Sequence, residues 1–318
     1  MNTLFTFTNY GIYAALALLL GIVTACMYIS HARKCSADVL MLFAVLTVPS
    51  VWFFSRLVFV LANCTYYLTT LSNPVLALHF WDGGYSMMGA FFGACFGAWL
   101  TGKVTGLSSR IFLDAVGLAF PLAAAAARFA EIGTGLGEGR LIHGSFIPPL
   151  AIENYDGYLH PVFLYEAICA LAIFCLLLFL LHGHHFLPHE GDLLLVSMTL
   201  YGITQVFLES LKDDGHMVVH FVRIQQVLAI ILVVISMIIW ARRLGRRRAV
   251  PIAFIVTAVC IALCVLAEFG VDRWGNRLLA YGIMLVCLAM ILVQALHLYH
   301  LTFREGNTHG TQKNRTNQ

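Results

Sequence analysis

A chain of 318 residues that is 60% hydrophobic, only 11% charged and has a mean hydropathy of +0.84 is not an ordinary soluble domain. Its apolar runs are long enough to cross ~30 Å of hydrocarbon as helices, and too long and unalternating for barrel strands. A net charge of +3 says little by itself, so the placement of the cations matters more than their sum.

The expected fold is therefore all-α, a polytopic integral membrane protein. About nine transmembrane helices are read near residues 10–30, 40–62, 85–102, 110–130, 161–181, 193–211, 223–241, 250–268 and 278–299. Lys and Arg placement sets their orientation. One set of loops carries Arg33, Lys34, Lys103, Arg110, the run Arg242, Arg243, Arg246, Arg247 and Arg248, and the tail cations Arg304, Lys313 and Arg315. The opposite set carries Arg128, Arg140, Lys212, Arg223, Arg273 and Arg277. Twelve cations against six predict an N-terminus outside and a C-terminus in the cytoplasm.

In the first span, Val23-Thr24-Ala25-Cys26 imitates a lipoprotein cleavage site. A signal peptide carries its positive charge before the apolar core, whereas Arg33 and Lys34 follow it, so this is read as a membrane helix. The second span holds Arg56 within an apolar run, and an arginine there requires an anion or carbonyl partner. The third repeats glycine at Gly89, Gly93 and Gly97 with alanines alongside, the small-xxx-small pattern of close helix packing.

The stretch from Leu113 to Glu166 is the expected functional centre. An apolar helix carrying Asp114 ends on Arg128 with Glu131 one turn later. A polar, glycine- and proline-rich connection follows, with Pro148-Pro149 and Asp156-Gly157, and is expected along the outer membrane surface. The chain returns to apolar territory at His160-Pro161 and Leu164-Tyr165-Glu166. Charge at membrane depth usually faces a polar cavity and marks a substrate or ion path.

Further on, His182-Gly183-His184-His185 and His189 sit on a short turn without a ligand-spaced cysteine or carboxylate, and are read as solvated helix ends. The nine cysteines lie in or beside apolar runs and read as small hydrophobes. On the sixth span Tyr201, Gln205 and Glu209 fall at i, i+4 and i+8, one polar stripe down a helical face. The organisation expected is a core over 1–248, an accessory helix pair over 249–302 and a disordered cytoplasmic tail over 303–318. No metal or cofactor is expected, and no nucleic-acid face appears.

Several of these segments, taken in order, resemble a family. Tyr10-Gly11, Ser55-Arg56-Leu57, Asn73-Pro74 and Trp81-Asp82-Gly83-Gly84 with Ser86 and Gly89 resemble the prolipoprotein diacylglyceryl transferases of bacteria. Asp114, Pro121, Arg128 and Gly139 fit that family's signature region, His160 to Glu166 its HPxxLYE segment, and Tyr201-Gly202 with Glu209 its penultimate helix. The similarity runs from about Tyr10 to Ile230. It implies a multi-pass protein of the bacterial cytoplasmic membrane that moves a diacylglyceryl group from phosphatidylglycerol to the lipobox cysteine thiol of prolipoprotein signal peptides. Membrane lipids are the remaining partners expected.

By that resemblance the catalytic residues are Arg128, Glu209 and Tyr10. The substrate would meet Arg56, Gly83, Gly84, Met88, Asp114 and Glu131, then Gly139, His160, Tyr165, Glu166 and Gln205. The chain departs from the family pattern in places. Met88 stands at the family's histidine, Glu131 at an asparagine, Thr134 and Leu136 at a later asparagine and glutamate, and Gln205 at an arginine. These changes keep open a relative that only binds anionic lipid or a lipoprotein partner. A transporter using Arg128, Glu131 and Glu209 as an ion path is a third reading, though no inverted repeat is visible.

Overall fold

The computed structural model describes residues 3–70, 74–80, 83–132, 134–142, 150–154, 157–182, 187, 189–213, 218–219, 222–245, 247–271, 273 and 276–316. Asn73, Trp81, Asp82, the Pro148-Pro149 pair, Asp156 and the His184-His185 pair lie outside these. Nine long helices carry the described chain. They are α1 (Thr3–Arg33), α2 (Ala37–Ala62), α3 (Met87–Thr105), α4 (Ser109–Arg128), α5 (Val162–His182), α6 (Asp192–Leu211), α7 (Ile224–Leu244), α8 (Ala249–Val271) and α9 (Arg277–Thr316).

Eight of these helices are long and apolar enough to cross a membrane, against the nine expected. The exception is α3, whose glycines, threonines and Lys103 dilute its apolar character. Helix α1 runs unbroken through Val23 to Cys26, as a membrane helix does. Helix α9 runs on to Thr316.

The connection after α4 is not featureless. It holds β1 (Glu138–Leu141), β2 (Ile152–Asn154) and β3 (Gly157–Pro161), an antiparallel sheet of order β1-β3-β2. A two-stranded ribbon, β4 (Val218–Val219) and β5 (Val222–Arg223), precedes α7.

The chain divides into two compact units. The first comprises Met1–Gly137, Phe163–Phe174 and Asp214–Met217; the second comprises Glu138–Val162, Cys175–Asp213 and Val218–Gln318. In the first, α2 and α3 touch along the glycine stripe. A Cβ at Gly89 would stand 2.4 Å from Phe54 O, one at Gly93 2.3 Å from Ser50 O, and one at Gly97 2.6 Å from Thr47 Cα. Backbones that meet this closely substitute van der Waals contact for the hydrophobic drive that lipid removes. Ser86 starts α3 by accepting the Gly89 amide at 3.2 Å, while its own amide donates to Ser55 O at 3.0 Å.

Arg56 has the carbonyl partners that its position demands. It is buried, and its guanidinium donates to the backbone oxygens of Ala77 at 3.2 Å, Gly84 at 3.2 Å and Leu76 at 3.4 Å, and to that of Gly83. Four carbonyls turned inward satisfy a cation that cannot deprotonate. Gly83 and Gly84 both take positive φ (77° and 73°), the backbone region that aims these carbonyls without a Cβ penalty. These bonds make Arg56 a structural clamp on the segment before α3.

The second unit packs α6 on α7 and α8 on α9, with α9 against both α6 and α7. A Cβ at Gly202 would lie 2.6 Å from Ala229 O, which brings α6 and α7 close together. At their other ends, buried Asp192 in the first turn of α6 pairs with Arg243 in the last turn of α7. Trp240 and Tyr299 meet with ring centroids 5.3 Å apart, fixing α7 on α9.

Gly93→Ala should destabilise the first unit by about 1–3 kcal/mol through overpacking, and Gly93→Leu by more. An unchanged thermal midpoint in detergent for the leucine variant would refute the backbone contact. Arg56→Lys, which keeps the charge but not the fork, should lose roughly 2 kcal/mol or more. Limited proteolysis should then cut between residues 74 and 84 sooner than in the parent, and an unaltered cleavage rate would remove the clamp.

Candidate active site

The N-terminal half of the chain closes around a cavity of about 470 Å³ between α1, α2, α3 and α4. Its wall is mostly small apolar side chains, which is why space exists: Ala14, Ala90, Ala94, Ala123 and Ala127 face it from three helices. Polar side chains reach it from Tyr10, Thr47, Ser55, Tyr85, Ser86, Arg128 and Glu131. A second groove of similar volume, lined by Leu16, Leu122, Leu164 and Ile168 among others, runs between α1, α4 and α5 and is apolar.

Arg128 is the charged centre of the first unit. It is the last residue of α4, and a 3-10 turn over Phe129–Glu131 follows. That tightening places the Glu131 carboxylate back on the guanidinium, with Nη1 to Oε1 at 2.5 Å. From α5, Glu166 Oε2 lies 2.7 Å from Arg128 Nε. Arg128 is buried, Glu166 nearly fully so, and Glu131 close to it. One cation thus faces two carboxylates in a site where charge interactions strengthen. Thr134 steadies the turn by donating its hydroxyl to Glu131 O at 2.6 Å.

Among the expected site residues, Tyr10, Arg128 and Glu131 share this cavity wall, and Glu166 joins them through Arg128. Tyr165 is half-buried beside Glu166 on α5. Met88 and Asp114 are buried and are not among the described lining residues. Ser55, Tyr85 and Ser86 line the cavity without having been anticipated in that role.

Arg56, Gly83 and Gly84 form the clamp of the first unit, whereas Gly139, His160, Gln205 and Glu209 belong to the second. Tyr201, Gln205 and Glu209 form a buried stripe on α6, as their spacing predicts. Glu209 Oε1 receives Lys212 Nζ at 2.7 Å, and its Oε2 stands 4.0 Å from Arg223 Nη1. Arg223 donates to Lys212 O at 2.8 Å, and its amide donates to Gln226 Oε1 at 3.1 Å. Gln226 Nε2 in turn donates to Val206 O at 3.2 Å and to Glu268 Oε2 on α8 at 3.1 Å. Lys212, Arg223, Gln226 and Glu268 were not singled out for a site. The i, i+3 spacing of Glu209 and Lys212, the same as that of Arg128 and Glu131, was the available signal.

Gly139 lies where β1 bridges to Lys212. A Cβ there would meet Val162 Cγ2 at 2.6 Å and the carbonyls of His160 and Leu211 at 2.8 Å, so the glycine serves close approach of strand and helix end. His160 sits on β3, and burial pushes its imidazole below the ordinary value, toward the neutral form.

Glu268→Leu should destabilise the second unit by about 1–3 kcal/mol, because it leaves the buried Gln226 amide short of an acceptor. Glu268→Gln, which still accepts that bond, should stay within roughly 0.5 kcal/mol of the parent. Equal losses in thermal unfolding for the two variants would mean that the hydrogen bond does not couple α8 to α7.

Comparison with known proteins bears on the whole arrangement. A family profile, prolipoprotein diacylglyceryl transferase, matches residues 2–242. A phosphatidylglycerol–prolipoprotein diacylglyceryl transferase of Bacillus velezensis is 28% identical over 238 residues, covering 72% of this chain and 85% of its own. One from Clostridioides difficile is 28% identical over 208 residues (65% and 79% of the two chains), and one from Halalkalibacterium halodurans 26% over 244 residues (74% and 82%). The matched residues end before α8 begins, so α8 and α9 lie beyond them. With its polytopic helical fold, and with Arg128 and Tyr10 on one cavity wall, this chain belongs to the prolipoprotein diacylglyceryl transferase family.

Proposed function

We propose that this protein transfers the diacylglyceryl group of phosphatidylglycerol to the cysteine thiol of a prolipoprotein signal peptide, in the bacterial cytoplasmic membrane. The observation that carries the reading is Arg128, a buried guanidinium in the wall of a cavity built mostly from apolar side chains. A lipid donor needs hydrocarbon-compatible walls for its chains and a fixed cation for its phosphate. The cavity and the neighbouring apolar groove meet the first need, and Arg128 the second. Hydrogen-bond donors fixed before the reaction stabilise the charge on the leaving glycerol phosphate without reorganisation. Tyr10 adds a hydroxyl to the same cavity, and Glu209 with Lys212 forms a buried ion pair in the second unit. The twelve-to-six cation asymmetry supports an extracytoplasmic N-terminus and a cytoplasmic C-terminus.

A second reading, a relative that binds anionic lipid without turnover, draws on one observation. Arg128 already faces two carboxylates, Glu131 and Glu166, which compete with a phosphate for it.

Purified protein in detergent, given phosphatidylglycerol and a lipobox peptide, should yield the thioether-linked product. Arg128→Ala should lower the rate by about 100-fold or more. A folded parent protein that binds the lipid and forms no product would sink the enzymatic reading and leave the binding one.

A further inference from the structure

Attack by a cysteine thiol requires removal of its proton, because the thiolate is the nucleophile. The proposed transfer therefore needs a base, and the family's histidine position holds Met88, which has no basic atom. Among the described residues lining the main cavity, the titratable side chains are Tyr10, Tyr85, Arg128 and Glu131. Two are phenols and one is a guanidinium, none of them a proton acceptor near neutral pH. No histidine is among those lining residues. Glu131 is their one carboxylate.

The two oxygens of Glu131 differ. Oε1 is bound to Arg128 Nη1 at 2.5 Å. Oε2 is buried and has no hydrogen-bond partner among the described residues. An acceptor left this way carries the full desolvation penalty of the group, and a proton delivered to it relieves that penalty. Room for the carboxylate comes from Gly137. A Cβ there would lie 2.4 Å from Glu131 Oε2, and the glycine's φ of +69° is itself one that a side chain disfavours.

We infer that Glu131 is the general base of the transfer, taking the thiol proton on Oε2. This rests on the reaction proposed above. The sulfur forms a bond to the glycerol carbon that bears the phosphate, and that carbon's bond to oxygen breaks, with the electron pair leaving on the glycerol phosphate. The thiol proton moves to Glu131 and then to the departing phosphate or to water. The step also changes Arg128. Before it, one guanidinium faces two carboxylates, Glu131 and Glu166. Once Glu131 is protonated, its hold on the guanidinium weakens while negative charge grows on the leaving group. Deprotonation of the acceptor and release of Arg128 to the phosphate become one linked event.

The experiment compares two acceptor peptides, one with the lipobox cysteine and one with selenocysteine, whose selenol is already ionised and needs no base. With the thiol peptide, Glu131→Gln should lose about 10²–10⁴-fold in rate. With the selenol peptide the same variant should come within roughly tenfold of the parent. Glu131→Asn should behave likewise, which guards against a fault peculiar to one replacement. Full activity of Glu131→Gln on the thiol peptide, or an equal loss on both peptides, overturns the assignment. A parent protein that modifies neither peptide instead overturns the transfer reading on which the assignment rests.

Discussion

Every fixed charge inside a hydrocarbon-facing bundle must be met by another group at the same depth, since bare ions there cost several kcal/mol each. The described chain meets that demand in three ways. Arg128 is flanked by the carboxylates of Glu131 and Glu166. Arg56 is surrounded by backbone carbonyls. Glu209 is held by Lys212, with Arg223 at 4.0 Å. The three solutions differ in chemical consequence. Carbonyls cannot be titrated, so the Arg56 clamp is insensitive to reaction, whereas a carboxylate pair can exchange a proton and thereby alter what its cation offers.

The cavity around Arg128 depends on features that carry no charge at all. Glycines on α3 let α2 approach to backbone contact, and alanines on α3 and α4 leave the opposite wall thin. Ser86 caps α3 while binding Ser55 O, so the two serines that line the cavity are also part of the joint between its helices. The cavity is thus bounded by backbones in contact and by small side chains, beside the larger Phe43, Trp52 and Phe120.

What the sequence made legible follows from which partners leave a mark in it. Spans were readable because hydrocarbon thickness fixes their length, and the α2–α3 contact because small residues recur every four positions. The Arg128–Glu131 pair was readable from its spacing. The partners of Arg56 were not, because carbonyl oxygens belong to every residue and leave no side-chain signature. The strands between Glu138 and Pro161 were hidden in a segment that reads as polar connection, since three to five residues are too few to show alternation. Helix α3 reads as a span from the length of its apolar run, but the glycines that let it pack also keep its hydropathy below that of the eight helices apolar enough to cross.

The bond between Gln226 and Glu268 joins a helix inside the family match to one outside it. A truncation ahead of α8 would therefore leave the Gln226 amide with Val206 O alone, so the loss of helices outside the match would be felt by a buried side chain inside it.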